Sequence, residues 1–253
     1  TAQAKKGSKK AKVVAGISCE SCHGAARGWL DVHNDYGKTA GGAEAKHETE
    51  TAKHKKVRIA KTIKLGMIRP DRPYELAKNC LQCHTVPNED IVDKGGHTAG
   101  SDFELVSWLY KKGIRHTYSH GKSKDKPKAK GGSANSKRLL YVVGRSLDLE
   151  YSLRALAKAT RKGTYLKSMV TRTKDAICKV KDIRGKVAIP ELKSMLAIAA
   201  KAKLKAKQGK SLSSAADKIA KLTRKMAGKN NGSKWKALDS LVAKGQYANK
   251  SCR

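Results

Sequence analysis

Large apolar side chains are scarce in this chain. Aromatic residues make up 5% of its 253 positions, with a single Phe, and hydrophobic residues of all kinds only 39%. A chain of this length can bury a sizeable core, as one large domain or two modest ones. This composition leaves little to fill it, and a core filled in part by a bound cofactor would be consistent with that. No stretch is long and apolar enough to span a bilayer, and no signal-peptide pattern is visible. Period-two alternation is also missing, which argues against a β architecture. Acidic residues are few as well: 21 Asp and Glu stand against 56 Lys and Arg, a formal charge of +35.

That excess is uneven. Residues 136–253 hold 30 basic against 7 acidic residues, and residues 1–135 hold 26 against 14. A field of this size draws the protein to an acidic redox protein, an anionic surface or a polyanion, and charge alone does not choose among them.

Six cysteines are present, and four fall into one repeated pattern: Cys19-Glu20-Ser21-Cys22-His23 and Cys80-Leu81-Gln82-Cys83-His84. Two thiols at this spacing meet the two vinyl groups of a haem, and the imidazole directly after the second reaches the iron. The expected cofactors are two covalently bound haem c groups, with Cys19, Cys22, Cys80 and Cys83 as attachment points and His23 and His84 as proximal iron ligands. A four-cysteine zinc site or a pair of redox dithiols would give no reason for a His after both pairs. Two buried haems would also supply the apolar surface that the composition lacks. Cytochrome c maturation takes place outside the cytoplasm, and the chain opens at Thr1 as a trimmed protein would. The expected location is periplasmic or extracellular. In such an oxidising compartment Cys178 and Cys252 can pair as a disulfide.

All eight histidines lie in the first half of the chain. His33, His97, His116 and His54 are the candidates for distal iron ligands, while His47 and His120 read as solvated. Met67, Met169, Met195 and Met226 are weaker alternatives. His33 follows His23 by ten residues, about 15 Å along one helix, so it suits the other haem better than its own. By similar reasoning His97 or His116 would serve the His23 haem. Substituting His33→Ala should then remove a low-spin haem signal.

The expected fold is mainly α: a loop-rich dihaem cytochrome c domain followed by an antiparallel helical bundle. Residues 1–12 read as a basic mobile arm and 13–120 as the dihaem domain. Within it helices are expected over 24–36, 57–65 and 74–79, with a loop at 37–56. Ser101 and Glu104 form a capping-box pattern opening a helix to Lys112. A Lys-, Gly- and Ser-rich linker covers 121–136. The basic bundle at 137–253 has amphipathic helices near 137–161, 164–181, 190–207, 211–227 and 234–246.

The run Ile17–Gly24 and the stretch from Cys80 through Gly95-Gly96-His97, Ser101–Glu104 and Arg115-His116 resemble the multihaem c-type cytochromes typified by the tetrahaem electron acceptor of hydroxylamine oxidoreductase. The resemblance covers about residues 13–120 and carries two haem motifs in place of four. It implies a distal ligand for the first haem from His116 or His97, and a different haem for His33.

Electron transfer through two close bis-histidine haems is therefore the leading expectation, with no substrate chemistry. Alternatives are a haem enzyme with one open iron site acting on nitrogen or sulfur compounds, and a subunit of a haem-lined filament or larger cytochrome complex. Nucleic-acid binding ranks last, since covalent haem places the protein away from chromosomal DNA.

Overall fold

The structure is a computed structural model that describes residues 2–4, 11–13, 19–110 and 132–244. It is mainly helical. The chain divides into two compact units, Thr1–Asn79 and Cys80–Arg253. The expected linker at 121–136 lies for the most part outside the described residues, as do His116, His120 and Cys252. The division falls at Asn79/Cys80, so the second haem motif belongs with the helical half.

In the first unit the N-terminal arm pairs on itself. β1 (Ala2–Ala4) runs antiparallel to β2 (Ala11–Val13), where no strand was expected. The first motif is a single helical turn, α1 (Cys19–His23). The expected helix over 24–36 is broken: Gly24 has φ +82°, a 3-10 turn spans Ala26–Gly28, and α2 covers only Leu30–His33. Glu20 explains the turn, because its carboxylate accepts from Ala26 N at 2.6 Å. Helix α3 (Ala52–Lys64) starts five residues earlier than the pattern suggests, because the Thr51 side chain accepts from His54 N as an N-cap. Its end is as expected: Gly66, at φ +95°, donates to Ile63 O and turns the chain away.

The apolar core of the first unit is small. Only Cys22, Trp29, Ala45, Tyr74, Leu76 and Ala77 are buried among its described apolar residues. A polar cluster stands beside them: Arg58, 7% exposed, forms a two-pronged pair with Glu50 at 2.7 and 2.6 Å and donates to His33 O at 2.6 Å. The planar guanidinium matches a carboxylate in this geometry, which is what makes a buried ion pair tolerable.

Helix α4 (Pro73–His84) carries the second motif at its C-terminal end. In the second unit, α5 (Glu89–Asp93) is capped by Asn88, which accepts from Ile91 N. Helix α6 starts at Leu105 and is described to Tyr110. The capping box is not formed as expected. Glu104 itself caps α6, accepting from Val106 N and Ser107 N, and Ser101 is used elsewhere.

The bundle consists of α7 (Ala134–Leu156), α8 (Thr164–Lys186), α9 (Pro190–Ala200) and α10 (Gly209–Lys229), followed by a 3-10 segment, Ser233–Leu238, and α11 (Asp239–Lys244). Helix α7 packs on α8 and α10, α8 on α9, and α9 on α10, which closes a four-helix arrangement. In α10 the expected stripe is found, with Leu212, Ala216, Ile219 and Met226 fully buried. Helix α7 departs from expectation: from Leu140 to Leu156 only Arg154 is not buried, so it is the hub of the unit. Helix α9 stops at Ala200 and not near 207. The Lys-rich stretch beyond it turns back, and Lys207 N donates to Ala159 O at 2.9 Å.

The chain after the second motif is bound to this bundle. Glu89 accepts from Thr160 N and Thr160 Oγ1, and Asp93 accepts from Tyr165 N at 2.7 Å, supplying the N-terminus of α8 with a partner. Arg161 adds an ion pair to Asp90 at 2.7 Å.

Candidate functional site

Each expected proximal histidine is held through one ring nitrogen. His23 Nδ1 lies 2.7 Å from Ile68 O, and Ile68 N donates back to His23 O at 2.9 Å. A carbonyl can only accept, so Nδ1 carries the proton and Nε2 the lone pair, the form that binds a metal. Gly24 makes this clamp possible: a Cβ there would lie 2.8 Å from Gly66 O. Cys22 is buried beside it, and of Cys19 only the backbone is described. Asn79 donates to Ser21 O at 2.6 Å, fixing the backbone between the two cysteines of the first motif.

His84 Nδ1 lies 2.9 Å from Ser101 Oγ. Its ring stacks on Phe103, the chain's only phenylalanine, with centroids 4.2 Å apart and planes at 18°, and Trp108 lies 5.4 Å away. Ser101 joins three groups, since its N donates to His84 O at 3.0 Å and its own carbonyl accepts from Arg172 Nη1 at 2.9 Å. Gly100, at φ +81°, lets the chain fold back this closely: a Cβ there would meet Arg172 Nη1 at 3.0 Å. Burial and then the charge of Arg172 push the His84 imidazolium down, which favours the neutral, ligating imidazole.

Cys83, His84 and His97 line one cavity of about 990 Å³ in the second unit, against a wall from α7 and α8. That is the upper end of the size usual for cofactor-scale ligands, roughly 300–1,000 Å³. The expectation sent His97 to the iron of the first motif; within the second unit it lines the same cavity as Cys83 and His84. His97 Nδ1 lies 2.7 Å from Thr98 O, so its Nε2 also carries the lone pair.

The remaining distal candidates lie in the first unit. His33 Nδ1 donates to Leu30 O, and its ring meets Trp29 edge-on at 5.4 Å. His54 Nδ1 pairs with Glu50 at 2.8 Å, inside the Arg58 cluster. Arg58 first, and then His54, hold the buried Glu50 carboxyl at about 2, against burial, which works to raise it. His47 is half-exposed, with Glu48 3.8 Å away. Cys178 is disulfide-bonded; its expected partner Cys252 is outside the described residues.

Sequence reasoning missed the α7–α8 wall of the cavity. There Asp148, 4% exposed, is met by Arg172 at 2.7 Å and by Arg145 and Lys179 each at 3.9 Å. The signal was present in the sequence, as Arg145 and Asp148 stand at i and i+3 within the Leu- and Val-rich middle of α7. Burial works to raise the Asp148 carboxyl, and Arg172, Lys179 and Arg145 together hold it below the usual range.

Comparison with protein-family models, curated proteins and solved structures found no match. Among the described residues no three His, Cys, Asp or Glu side chains are grouped to hold a metal ion. An iron held in a porphyrin asks less of the protein, one or two axial donors in place of a full cage. The residues fit that demand: a His with a fixed Nδ1 ends each motif, and the second motif's cavity has cofactor dimensions. No described helix is long and apolar enough to cross a membrane.

Proposed function

We propose that this chain is a dihaem c-type cytochrome that transfers electrons between redox partners. Cys19 and Cys22 would hold one haem and Cys80 and Cys83 the other, with His23 and His84 as proximal ligands. When bound, the haems supply one-electron redox chemistry. The protein's part is to fix the imidazoles, exclude water and set the charge around each site.

The observation that carries the reading is the doubled motif with both of its histidines oriented through Nδ1. A metal-bound imidazole needs the other nitrogen engaged in this way. The small apolar core of the first unit supports it, since a haem would add the buried surface that Trp29, Tyr74 and Leu76 do not supply. The resemblance of residues 13–120 to the multihaem cytochromes points the same way. His97 is the candidate sixth ligand for the second haem, with His33 and His54 as candidates for the first. Bis-histidine ligation leaves no open position, which suits a carrier, and the basic charge of residues 136–253 suits an acidic redox partner.

The test is an optical and EPR spectrum of the purified protein, oxidised and reduced, with haem quantified by mass. Two covalent, wholly low-spin haems are expected. Absence of covalent haem overturns the reading, and a high-spin fraction that binds small ligands would move the protein to the haem enzymes.

A further inference from the structure

Three cations surround a single buried carboxylate at the α7–α8 wall. Asp148 faces Arg172, Arg145 and Lys179, and Arg145 is only 2% exposed. Lys167, Asp102 and Asp175 complete the charged lining, four cations against three carboxylates, with Arg172, Lys179 and Asp175 alike half-buried. Inside this wall, positive charge therefore exceeds negative, an arrangement that costs desolvation and mutual repulsion unless an anion offsets it. Lys179 bears the cost: burial pushes its ammonium down, and Asp148 and Asp175 restore only part of the loss. Arg172 adds a structural sign. Its Nη1 and Nη2 are committed to Ser101 O and Asp148, while its buried Nε has no hydrogen-bond partner among the described residues.

The cavity these cations face holds Cys83 and His84. At about 990 Å³ it is far larger than a simple inorganic anion needs. A tetrapyrrole attached at the motif would carry two propionate carboxylates, negative charge that would offset the wall's excess of cations.

Resting on the cytochrome reading above, we propose that Arg172, with Arg145 and Lys179, forms a carboxylate-binding site for the propionates of the haem held at Cys80 and Cys83, and that these cations raise that haem's reduction potential. The second effect follows from charge. Taking up one electron lowers the positive charge at the iron, so a fixed cation nearby favours the reduced form. The effect should be largest at this haem, whose motif histidine lines the same cavity as the three cations. Arg172 and Lys179 are thus positioning residues and touch the iron only through its field.

The experiment is an optically monitored redox titration of the full, haem-loaded chain, wild type against Lys179→Gln and Arg172→Gln. Haem content by mass should stay at two, because the thioether bonds do not depend on the propionates. One of the two haems should lose about tenfold in its ferrous-to-ferric ratio at a fixed potential, the size expected for one charge at an effective dielectric of about 20. The other haem should move less, and Lys179→Arg should restore the wild-type titration. Arg172 also holds Asp148 and Ser101, so its variant is open to misfolding. Lys179 reaches Asp148 only at 3.9 Å and its variant carries the readout alone if needed. Two loaded haems with unmoved midpoints, or an equal shift in both, would overturn the proposal and leave the carrier reading intact. A wild-type chain without covalent haem would overturn the carrier reading itself.

Discussion

At His23, His33, His54 and His97 Nδ1 faces an oxygen acceptor, which puts the lone pair of the neutral ring on Nε2. His97 shares a cavity with the motif histidine of its own unit, His84. Replacing His97→Ala should therefore convert one of two haems from low to high spin, read by EPR, and let that iron bind imidazole added to solution. An unchanged spectrum would remove His97 from the ligand set. Gly24 is a second residue with a sharp expectation. Its φ of +82° and the 2.8 Å approach of Gly66 O both exclude a Cβ. Gly24→Ala should cost about 1–3 kcal/mol in chemical denaturation, from the left-handed backbone and the displaced carbonyl together. The doubled Cys-x-x-Cys-His pattern could be singled out from the sequence because its spacing is local and needs no tertiary information. Arg172 was not, because a surface lysine and a buried arginine look alike until the packing is known.

Among the elements, α3 is the one whose stability depends most on charge. Glu50 pairs with both Arg58 and His54, and its carboxyl sits at about 2 in place of its ordinary 4.5. A depressed carboxyl contributes stability that is fully present above pH 4.5 and lost as pH falls toward 2. Circular dichroism should show helix loss beginning in that window. Glu50→Gln should remove this component of the acid transition, at the cost of a lower melting temperature at pH 7, where breaking a buried pair costs about 3–5 kcal/mol. Helices α8 and α10 were readable from their 3.6-residue period, and so was the Gly66 stop of α3. Helix α5 was not, since its acidic residues find partners at Thr160, Arg161 and Tyr165, about 70 positions away. Helix α7 hid its burial on all sides behind Arg145, Asp148 and Glu150, which sequence reasoning assigns to a solvated face.

For the whole molecule the +35 charge sets how it meets partners. Electrostatic steering by such a field weakens as salt rises and the screening length falls to about 8 Å at 0.15 M. The rate of electron exchange with an acidic redox protein should fall by at least tenfold between 10 and 300 mM salt (about 30 and 6 Å of screening length), followed by stopped-flow absorbance. A salt-independent rate would separate the charge from docking. The two cysteine pairs also differ in access: Cys83 is exposed, while Cys22 is 8% exposed. A buried thiol has to meet its vinyl group before its segment closes, whereas an exposed one stays reachable afterwards. On the cytochrome reading, the first motif would then have to be loaded before the second, on a chain still open at Cys22. Interrupted maturation should then accumulate protein that lacks the haem at Cys22 and still accepts the one at Cys83.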